Sequence, residues 1–507
     1  MKTSLIICLS LCLTAISAFS QVYYQNGGNV TKTKQHYTAT ATDESGVVVT
    51  QSGTFNLSSS SVTSSGATTS SDSSSFYGLN AGALVKKASK ITLTDCKITT
   101  TGTGANGVFA TDTLSSVVLT NDTIHCTSDG AHGVDATFGA SLSLTDVVIT
   151  TAGAHGAAIS TDRGGGTVSV TRGNAVASGQ DSPGIYCTGT ISASDATISG
   201  AGAEAAVIEG ANSITLTGST LSGATGTRDR CVFIYQSMSG DATGAHGVFT
   251  MTGGSLTWPS ATGPLFYFTN TTGVVTLTNV TLNNSSSTLI KTGADQWGTT
   301  GKNGGIVEFT ASNDVLTGSV VCDNISSVDL TLENGTSLAG AINTANTAKT
   351  INLTIDAASS WNVPADSYVP VISDPAGVSG QSISNISGNG HTVTYDGTAT
   401  GNSYLNQKIY TLQNGGTLTC PTCTPWVVSD ITAKTGTVSC YPNPCSTVLN
   451  ITTGSDKPRE IQVFSLIGEY QYDELTRGNT SIDVSNWANG IYFVRVSNTV
   501  IRMVVMH

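Results

Sequence analysis

Residues 91–98 read Ile91-Thr92-Leu93-Thr94-Asp95-Cys96-Lys97-Ile98, and the chain repeats this pattern many times. Further copies begin at Phe55, Val117, Leu142, Val168, Ile191, Ile214, Phe249 and Val275, so that successive copies start 23 to 36 residues apart. A self-similar unit at a nearly regular spacing, in which apolar residues alternate with Thr and Ser, is typical of a β-solenoid. The pattern therefore predicts an all-β body of stacked parallel strands.

Each copy has apolar residues at its first, third and eighth positions, which are predicted to point inward, while Thr or Ser between them points outward. After this eight-residue strand come a Gly/Ser/Thr turn and a second short strand, such as Gly107-Val108-Phe109. Two or three strands in a turn of roughly 25 residues is the plan of a right-handed parallel β-helix. We therefore predict a single-stranded solenoid of this kind over residues 55–425, with residues 21–54 as its N-terminal cap.

The fifth position of the repeat forms a polar column. Its members are Asp95, Asn121, Asp146, Arg172, Asp195, Gly218, Gly253 and Asn279. A ladder of carboxylates would bind calcium or supply a paired acid and base, but Arg and Gly interrupt this column and stacked carboxylates repel one another. The alternative is a turn column, in which Asx side chains bond to the backbone as the strand bends. We favour the turn column.

Two further patterns have a functional and a structural interpretation. His132 and His155 lie in Ala-His-Gly segments, and neighbouring imidazoles would ligate zinc if further ligands accompanied them. No third ligand column accompanies them, so a polar turn position is favoured. The outward Thr residues resemble the flat arrays of ice-binding solenoids, but Val118 and several Ser residues interrupt them, and Thr is common on exposed strands. Since neither the polar column nor the two histidines form a convincing ligand set, we expect no metal, and we also expect no cofactor.

Two long connections, 224–247 and 283–305, contain Arg, Asp and Trp in an otherwise charge-poor body. Arg and exposed Trp are residue types that contact sugars and partner surfaces. The candidate binding loop comprises Arg228, Asp229, Arg230 and Trp297. The alternative is that these are ordinary solvated loops. A third long connection, Thr63 to Ser75, is rich in Ser and is predicted to be flexible.

The charge balance disfavours two classes of partner. The chain has 21 basic and 33 acidic residues and a formal net charge of −12. Nucleic acids and anionic membrane surfaces favour a basic face, so neither is an expected partner. Polysaccharide-cleaving β-helices need carboxylates, or a basic residue beside a metal, gathered on one face. The sequence contains no evident tight acidic pair, so we assign no catalytic residues and favour a binding protein over an enzyme.

The first twenty residues are typical of a secretory signal peptide. Lys2 supplies the positive charge, the stretch from Leu5 to Ile16 is apolar, and small residues precede a cleavage site between Ser20 and Gln21. The apolar run is too short to span a bilayer comfortably, and no later segment approaches that length. We therefore predict a signal peptide over residues 1–20 and no transmembrane segment.

Nine of the eleven cysteines follow the predicted signal peptide. Four lie singly in separate repeats and are predicted to be buried as small side chains: Cys96, Cys126, Cys187 and Cys231. Two further pairs lie close enough in sequence to form disulfides in an exported protein, with a four-thiolate zinc site as the alternative. These pairs are Cys420/Cys423 and Cys440/Cys445.

From Val438 the composition changes, and Pro, charged and aromatic residues replace the Thr- and Gly-rich repeats. The tail contains Tyr441-Pro442-Asn443-Pro444, a strand that leads to Gly468, the segment Gly490-Ile491-Tyr492 and a last strand with Arg502. Short alternating strands separated by turns predict a small Ig-like β-sandwich. In this combination of motifs the tail resembles the C-terminal sorting domain of type IX secretion substrates of Bacteroidota.

The resemblance implies export to the periplasm, passage through the type IX secretion machinery, and release or attachment to cell-surface lipopolysaccharide. Residues 426–507 would then form a linker and the sorting domain. The sorting residues that it indicates are Tyr441, Pro442, Asn443, Pro444, Gly468, Gly490 and Tyr492. Gly490 follows a turn, and we expect it to adopt a backbone angle that disfavours other residues.

The segment from Leu353 to Val371 is similar to the terminal coils of autotransporter β-helices. Together with the export signals and the lack of a catalytic cluster, this similarity favours a secreted, cell-surface β-helix with an adhesin-like or structural binding role. Its partners would be the type IX machinery and lipopolysaccharide, another glycan, or a host or matrix surface. The alternative is an extracellular polysaccharide-degrading β-helix enzyme, a lyase or a glycoside hydrolase.

Overall fold

The computed structural model describes residues 22–426, 438–454, 456–497 and 499–507. The predicted signal peptide and its cleavage site between Ser20 and Gln21 lie outside these residues. The chain forms two compact units, one ending at Thr424 and the other beginning at Pro425. The structure is 52% strand and 3% helix. Within the described ranges, no helix is long and apolar enough to cross a membrane.

The first unit is a parallel β-solenoid of about 15 turns. The copies of the repeat stack in register: Ile91 pairs with Phe55 and Val117, and Val117 pairs with Leu142. The same register continues through Val168, Ile191, Ile214, Phe249 and Val275. The predicted parallel stacking is therefore confirmed.

The first of three ladders contains the second strand of each predicted turn, and all its pairings are parallel. Its twelve strands are Tyr23–Asn26, Val47–Thr50, Ala83–Val85, Val108–Thr111, Val134–Thr137, Ile159–Thr161, Ile185–Cys187, Ala206–Glu209, Val232–Tyr235, Phe266–Thr269, Thr288–Thr292 and Ser319–Cys322.

The second ladder contains the repeat itself and has twenty-two strands in two columns. The first column is formed by Asn29–Thr33, Thr54–Ser58, Lys90–Thr94, Ser116–Thr120, Ala140–Thr151, Gly166–Ala177, Thr190–Ser194, Ser213–Thr217, His246–Thr252, Thr271–Thr278, Gly305–Ser312, Ser327–Glu333, Thr350–Ile355 and Val371–Ser373. The second column adds His36–Ala39, Ser61–Ser64, Lys97–Thr100, Thr123–Cys126, Thr197–Gly200, Thr220–Gly223, Ser255–Trp258 and Thr281–Asn284, and the two long strands of the first column pass through both.

The third ladder lies in the later turns and has nine strands. They are Val315–Thr317, Ser337–Ala339, Ser360–Asn362, Ser367–Tyr368, Val378–Ser379, Ser382–Ser387, Thr392–Thr394, Tyr410–Gln413 and Thr417–Thr419. The first unit also contains a 3-10 helix, Thr400–Leu405, and one α-helix, α1 (Ser71–Tyr77).

The described part of residues 21–54, for which we predicted a cap, has strands on the same plan. Tyr23–Asn26 pairs in parallel with Val47–Thr50, and Asn29–Thr33 pairs with Thr54–Ser58. The ladders therefore begin upstream of Phe55.

In most turns the repeat is two strands joined by a left-handed residue, rather than the single eight-residue strand that we predicted. Lys90–Thr94 and Lys97–Thr100 flank Asp95, whose φ is 55°. All eight members of the polar column have φ between 55° and 64°. Asn, Asp and Gly tolerate this conformation best, which explains why they dominate the column. The predicted turn at this column is therefore confirmed, but among the described residues of the column the predicted bonds to the backbone are not seen: the Asn121 amide, for example, donates to the Asp95 carboxylate.

The inward positions of the repeat form the core of the solenoid. Ile91, Leu93 and Ile98 are fully buried, whereas Thr215 and Thr217 are exposed, as the alternation predicts. Burial of each such aliphatic side chain stabilises the fold by about 1.5–3 kcal/mol. The four single cysteines predicted to be buried are buried thiols.

The second unit is a small β-sandwich of two antiparallel sheets. One sheet contains Ser439–Tyr441, Val448–Thr452 and Thr480–Asp483, and the other contains, in spatial order, Tyr470–Arg477, Pro458–Ser465, Gly490–Val496 and Thr499–Val505. Its fully buried core includes Leu449, Ile451, Ile461, Val463 and Val494.

Candidate functional site

Most outward side chains in the central turns of the first ladder are buried, unlike those of the second ladder. Phe109, Asp135 and Ser160 are 0% exposed, and Phe233 is 1% exposed. We call this surface the covered face. It is the column of register partners Phe109, Asp135, Ser160, Tyr186, Val207, Phe233 and Tyr267. Contacts from three inserted segments, residues 65–82, 236–245 and 293–304, explain its burial.

The first inserted segment contains α1, in the Ser-rich region that we predicted to be flexible. That prediction is wrong because Ser is a favourable N-cap residue. The Ser70 hydroxyl accepts a hydrogen bond from the Ser73 N–H at 3.2 Å, and Gly78 ends the helix at a φ of 64°. The Thr137 hydroxyl donates to the Phe76 carbonyl at 2.9 Å, which ties α1 to the first ladder.

The middle of the covered face contains an acidic centre formed by His132, Asp135 and Asp162. One ring nitrogen of His132 and one carboxylate oxygen of each aspartate lie within 4.8 Å of one another. Burial raises the pKa of Asp162 to about 7, and the charges of Asp241 and Glu209 contribute. Burial, followed by the charge of Asp162, raises the pKa of Asp135 well above its usual range. Paired carboxyls of this kind can share a proton or bind a cation.

The two histidines that we considered together do not share one column. The Nδ1 atom of His132 accepts a hydrogen bond from the Ala157 N–H at 3.0 Å, so Ala157 lies next to His132 on the adjacent turn. His155 is exposed, has a φ of 57°, and donates its N–H to the Gln180 carbonyl. Burial lowers the pKa of His132 to about 4, so its ring is neutral.

Glu209 links the second inserted segment to the ladder. Its Oε2 atom accepts hydrogen bonds from the hydroxyls of Tyr186 at 2.9 Å and Tyr235 at 2.8 Å. Its Oε1 atom accepts from the hydroxyls of Ser237 and Ser239 in the inserted segment. Burial, followed by the charge of Glu209, raises the pKa of Tyr235 far above its usual range. Glu209 is therefore a fully bonded structural carboxylate.

The third inserted segment covers an aromatic cluster that also contains Arg230. The Arg230 guanidinium lies 3.5 Å from the centroid of the Phe233 ring and 5.5 Å from that of Trp297. It also forms a buried ion pair with Glu204 at 3.0 Å. The Tyr267 hydroxyl donates to Asp295 of the inserted segment at 2.7 Å.

The structure thus brings together only two of the four residues of the candidate binding loop, Arg230 and Trp297. Arg228 is exposed. Asp229 accepts a hydrogen bond from the Thr262 hydroxyl at 2.7 Å. Arg230 contacts Glu204 and Phe233, but its buried Nη2 group has no hydrogen-bond partner among the described residues.

A separate groove of about 600 Å³ lies on the later turns of the solenoid. Its lining residues are Asn346, Lys349, Thr350, Asn352, Tyr368, Pro370, Val371, Thr394, Tyr395, Asp396, Ala399 and Pro421. Hydrogen bonds from the Thr398 hydroxyl and N–H lower the pKa of Asp396, so its carboxylate is ionised at neutral pH. The groove combines two tyrosines, two prolines, amides and both signs of charge.

Sequence reasoning missed both the acidic centre and the groove. Asp135 and Asp162 come from different turns, and no local motif links them. The available signal was the position of Asp135 and Glu209 in the second strand of a turn, where the other residues are mostly apolar. The groove offered no comparable signal, because its polar residues are ordinary turn residues.

In the second unit, the Tyr441-to-Pro444 turn is tied to the last strand. The Asn443 side chain accepts from the Val504 N–H at 2.8 Å and donates to the Arg502 carbonyl at 3.0 Å. Tyr492 is buried, and its hydroxyl donates to the Ala488 carbonyl at 2.8 Å.

The two glycines of the proposed sorting set differ in backbone conformation. Gly468 has a φ of 84° in the turn between two strands. Gly490 is the first residue of the strand Gly490–Val496 and is exposed, and a Cβ there would meet only the Tyr492 ring, at 3.9 Å. Our expectation of a strained angle at Gly490 is therefore wrong, because an extended strand position needs no positive φ.

The two candidate disulfide pairs differ as well. Cys420 and Cys423 are joined by a disulfide. Cys440 and Cys445 are both free thiols, so the second predicted pair is not formed in the structure. Cys445 is buried in the sandwich core, where its thiol donates to the Val504 carbonyl at 3.6 Å.

Comparison with known proteins identifies the tail. Residues 439–505 match the family described as "Secretion system C-terminal sorting domain". No curated protein sequence matches the chain. Among solved structures, a double mutant of the tailspike protein of E. coli bacteriophage HK620, in complex with a pentasaccharide, has 8% sequence identity and a TM-score of 0.24. The match covers 90% of this chain and 87% of the tailspike chain.

Proposed function

We propose that the solenoid is an adhesin-like protein that binds a glycan. The type IX sorting domain in the tail indicates that the protein is secreted or attached to the cell surface. The proposed binding site is the groove of about 600 Å³ that Tyr368 and Asp396 line. The sorting domain would deliver this groove to the outside of the cell. Attachment of the mature protein to lipopolysaccharide is part of the same proposal.

The composition of the groove carries the proposal. A saccharide presents apolar C–H faces and a surrounding set of hydroxyls, so its sites combine aromatic surfaces with a few polar groups. Tyr368 is half-buried between Pro370 and neighbouring turns, while Lys349 and Asp396 are exposed at the rim. The ionised Asp396 carboxylate can accept hydrogen bonds from sugar hydroxyls.

A glycan array probed with the full-length protein tests this proposal. We expect Tyr368→Ala to reduce binding to the best ligand by at least about tenfold, because the stacking surface is lost. We expect Asp396→Asn to weaken the same binding. The matched control is Tyr24→Ala, which removes a ring that is 64% exposed on a distant turn. Equal binding by wild type and Tyr368→Ala would contradict the proposal.

The paired carboxyls of Asp135 and Asp162 support a second candidate, an extracellular polysaccharide-degrading enzyme. General acid–base catalysis uses two such groups with separated pKa values. However, Asp135 is 0% exposed, which leaves no surface on it for a polysaccharide to contact. Incubation with plant, algal and host polysaccharides tests the alternative. Depolymerisation by wild type that Asp162→Asn abolishes would favour the enzyme over the adhesin.

A further inference from the structure

Three buried oxygen atoms on the covered face make no hydrogen bond of good geometry to any described residue, although the nearby Ser160 hydroxyl and Ala136 N–H lower the pKa of Asp135 against the larger effect of burial. They are the two carboxylate oxygens of Asp135 and the hydroxyl oxygen of Ser160. The two residues are register partners on adjacent strands, and both are 0% exposed. Burying such groups without partners is strongly unfavourable, so native structures usually supply a donor or a positive charge.

The charges around these atoms make the requirement stronger. Asp162 lies beside Asp135 in the acidic centre, and both Glu209 and Asp241 raise its pKa through their charges. Arg163 directs its guanidinium to Asp241, with which it forms an ion pair at 2.6 Å. Asp162 is therefore close to three other carboxyl groups, and the Arg163 side chain that follows it is already paired with one of them.

We propose that Asp135, Asp162 and Ser160 bind a hard divalent cation of the calcium, magnesium and manganese class. Hard cations take oxygen ligands, and both aspartate carboxylates and the Ser160 hydroxyl supply them. The ion would neutralise the buried carboxylates of Asp135 and Asp162, which would otherwise have to be protonated. This site is separate from the groove proposed for glycan binding.

The tautomer of His132 argues against a zinc-type site. Its Nδ1 atom accepts the Ala157 N–H, so the proton of the neutral ring resides on Nε2. An N–H group cannot donate a lone pair to a metal ion. It can, however, donate a hydrogen bond to a carboxylate that binds the metal ion. His132 is therefore a positioning residue and not a ligand.

The cation site would also secure the inserted segments. Arg163 directly follows Asp162, lies 3.7 Å from the centroid of the Phe76 ring in α1, and pairs with Asp241 in the second inserted segment. An ion at Asp162 would fix the backbone from which Arg163 holds both segments.

Metal content and thermal unfolding of the full-length protein test the proposal. Protein stripped with EDTA is dialysed separately against Ca²⁺, Mg²⁺, Mn²⁺ and Zn²⁺, and bound metal is measured by mass spectrometry. We expect one of the three hard cations to bind with a stoichiometry of one per chain and to raise the Tm. Asp135→Asn should abolish both effects, and Ser160→Ala should weaken binding by about tenfold.

The matched control is Asp314→Asn. Asp314 is also buried, but its two oxygens accept hydrogen bonds from the N–H groups of Val280 and Ser312. This variant should bind the cation like wild type. Binding of none of the four metals would overturn the proposal and leave a shared proton between Asp135 and Asp162. Stoichiometric binding of Zn²⁺ alone, or cation binding that survives Asp135→Asn, would overturn it as well.

Discussion

At the scale of single residues, the position that follows the left-handed residue carries a buried hydrogen-bond acceptor in some turns of the repeat. Asp122 is 1% exposed, and its carboxylate accepts from the N–H groups of Cys96 at 2.7 Å and Thr120 at 2.9 Å. Ser219 occupies the same position in a later turn and accepts from Ala196. In these two turns a short polar side chain satisfies an N–H group at the strand bend of the preceding turn.

A pH dependence of stability follows from Asp122. Burial raises its pKa to about 6, above the value of about 3.9 expected in the unfolded chain. A raised folded-state pKa contributes stability that is fully present below about pH 4 and is lost as the pH rises through 6. The solenoid should therefore unfold at a lower temperature at pH 8 than at pH 5. For Asp122 alone, the unfolding free energy should differ by roughly 1–1.5 kcal/mol between these two pH values.

The variant Asp122→Asn isolates this contribution, and Asp195→Asn is its matched control. Asn does not titrate, so thermal unfolding between pH 4.5 and pH 8 should vary less in Asp122→Asn than in wild type. Asp195 is an exposed left-handed turn residue, and its replacement should leave the pH profile unchanged. An Asp122→Asn profile parallel to that of wild type would contradict the assignment.

At the scale of elements, α1 shows how a solenoid acquires a second layer. The helix is only seven residues long, which is too short to be stable by itself in water. Its stability therefore comes from packing, since Phe76 is 8% exposed and lies against the Arg163 guanidinium. The Phe109 ring that it covers is fully buried although it points out of the solenoid.

Removing the Phe76 ring should release α1 without unfolding the ladders. Burial of a Phe side chain contributes about 3–5 kcal/mol, which exceeds what a short helix can replace. We expect Phe76→Ala to speed amide hydrogen exchange in residues 71–78 strongly, while exchange in the strand Ser116–Thr120 stays slow. Ser71→Ala changes an exposed position of the same helix and should exchange as wild type does. Unchanged protection of α1 in Phe76→Ala would show that the ring does not hold the helix.

The elements that were predictable from the sequence are those that repeat. Ile91 and its equivalents recur at nearly regular steps, so the same strand assignment applied to every turn. Aligning the copies then predicted which residues pair between adjacent turns. The covered face could not be predicted in this way. Its residues come from different turns and become buried only because inserted segments fold over them. In the sandwich, Gly490 could be recognised as part of a motif, but its backbone angle depended on where the strand begins.

At the scale of the whole molecule, the two units have separate cores. The solenoid core and the sandwich core consist of different residues, and each unit is compact by itself. Independent cores usually allow one unit to fold when the other is removed. Delivery to the cell surface can therefore be separated from the stability of the solenoid.

Deleting residues 438–507 should keep the protein inside the cell envelope while the solenoid unfolds at its normal temperature. The variant Asn443→Ala tests the contact between the Tyr441-to-Pro444 turn and the last strand. It removes two hydrogen bonds, each worth roughly 1 kcal/mol. We expect less protein at the surface for Asn443→Ala, measured by protease accessibility on intact cells. Gly490→Ala should reach the surface normally, because its strand position has room for a Cβ. Surface levels that fall in Gly490→Ala but not in Asn443→Ala would reverse this assignment of roles.

The in-register pairing of Ile91 with Val117, and of Val117 with Leu142, has an evolutionary consequence. Each turn meets its neighbours through nearly interchangeable surfaces, so unequal recombination between repeats can add or delete a whole turn without leaving an unmatched strand. The number of turns in the solenoid can therefore change during evolution. Turns that carry an inserted segment or an acidic partner, such as those of Asp135 and Asp162, cannot be exchanged so freely. Length variation among descendants should therefore concentrate in the plain turns.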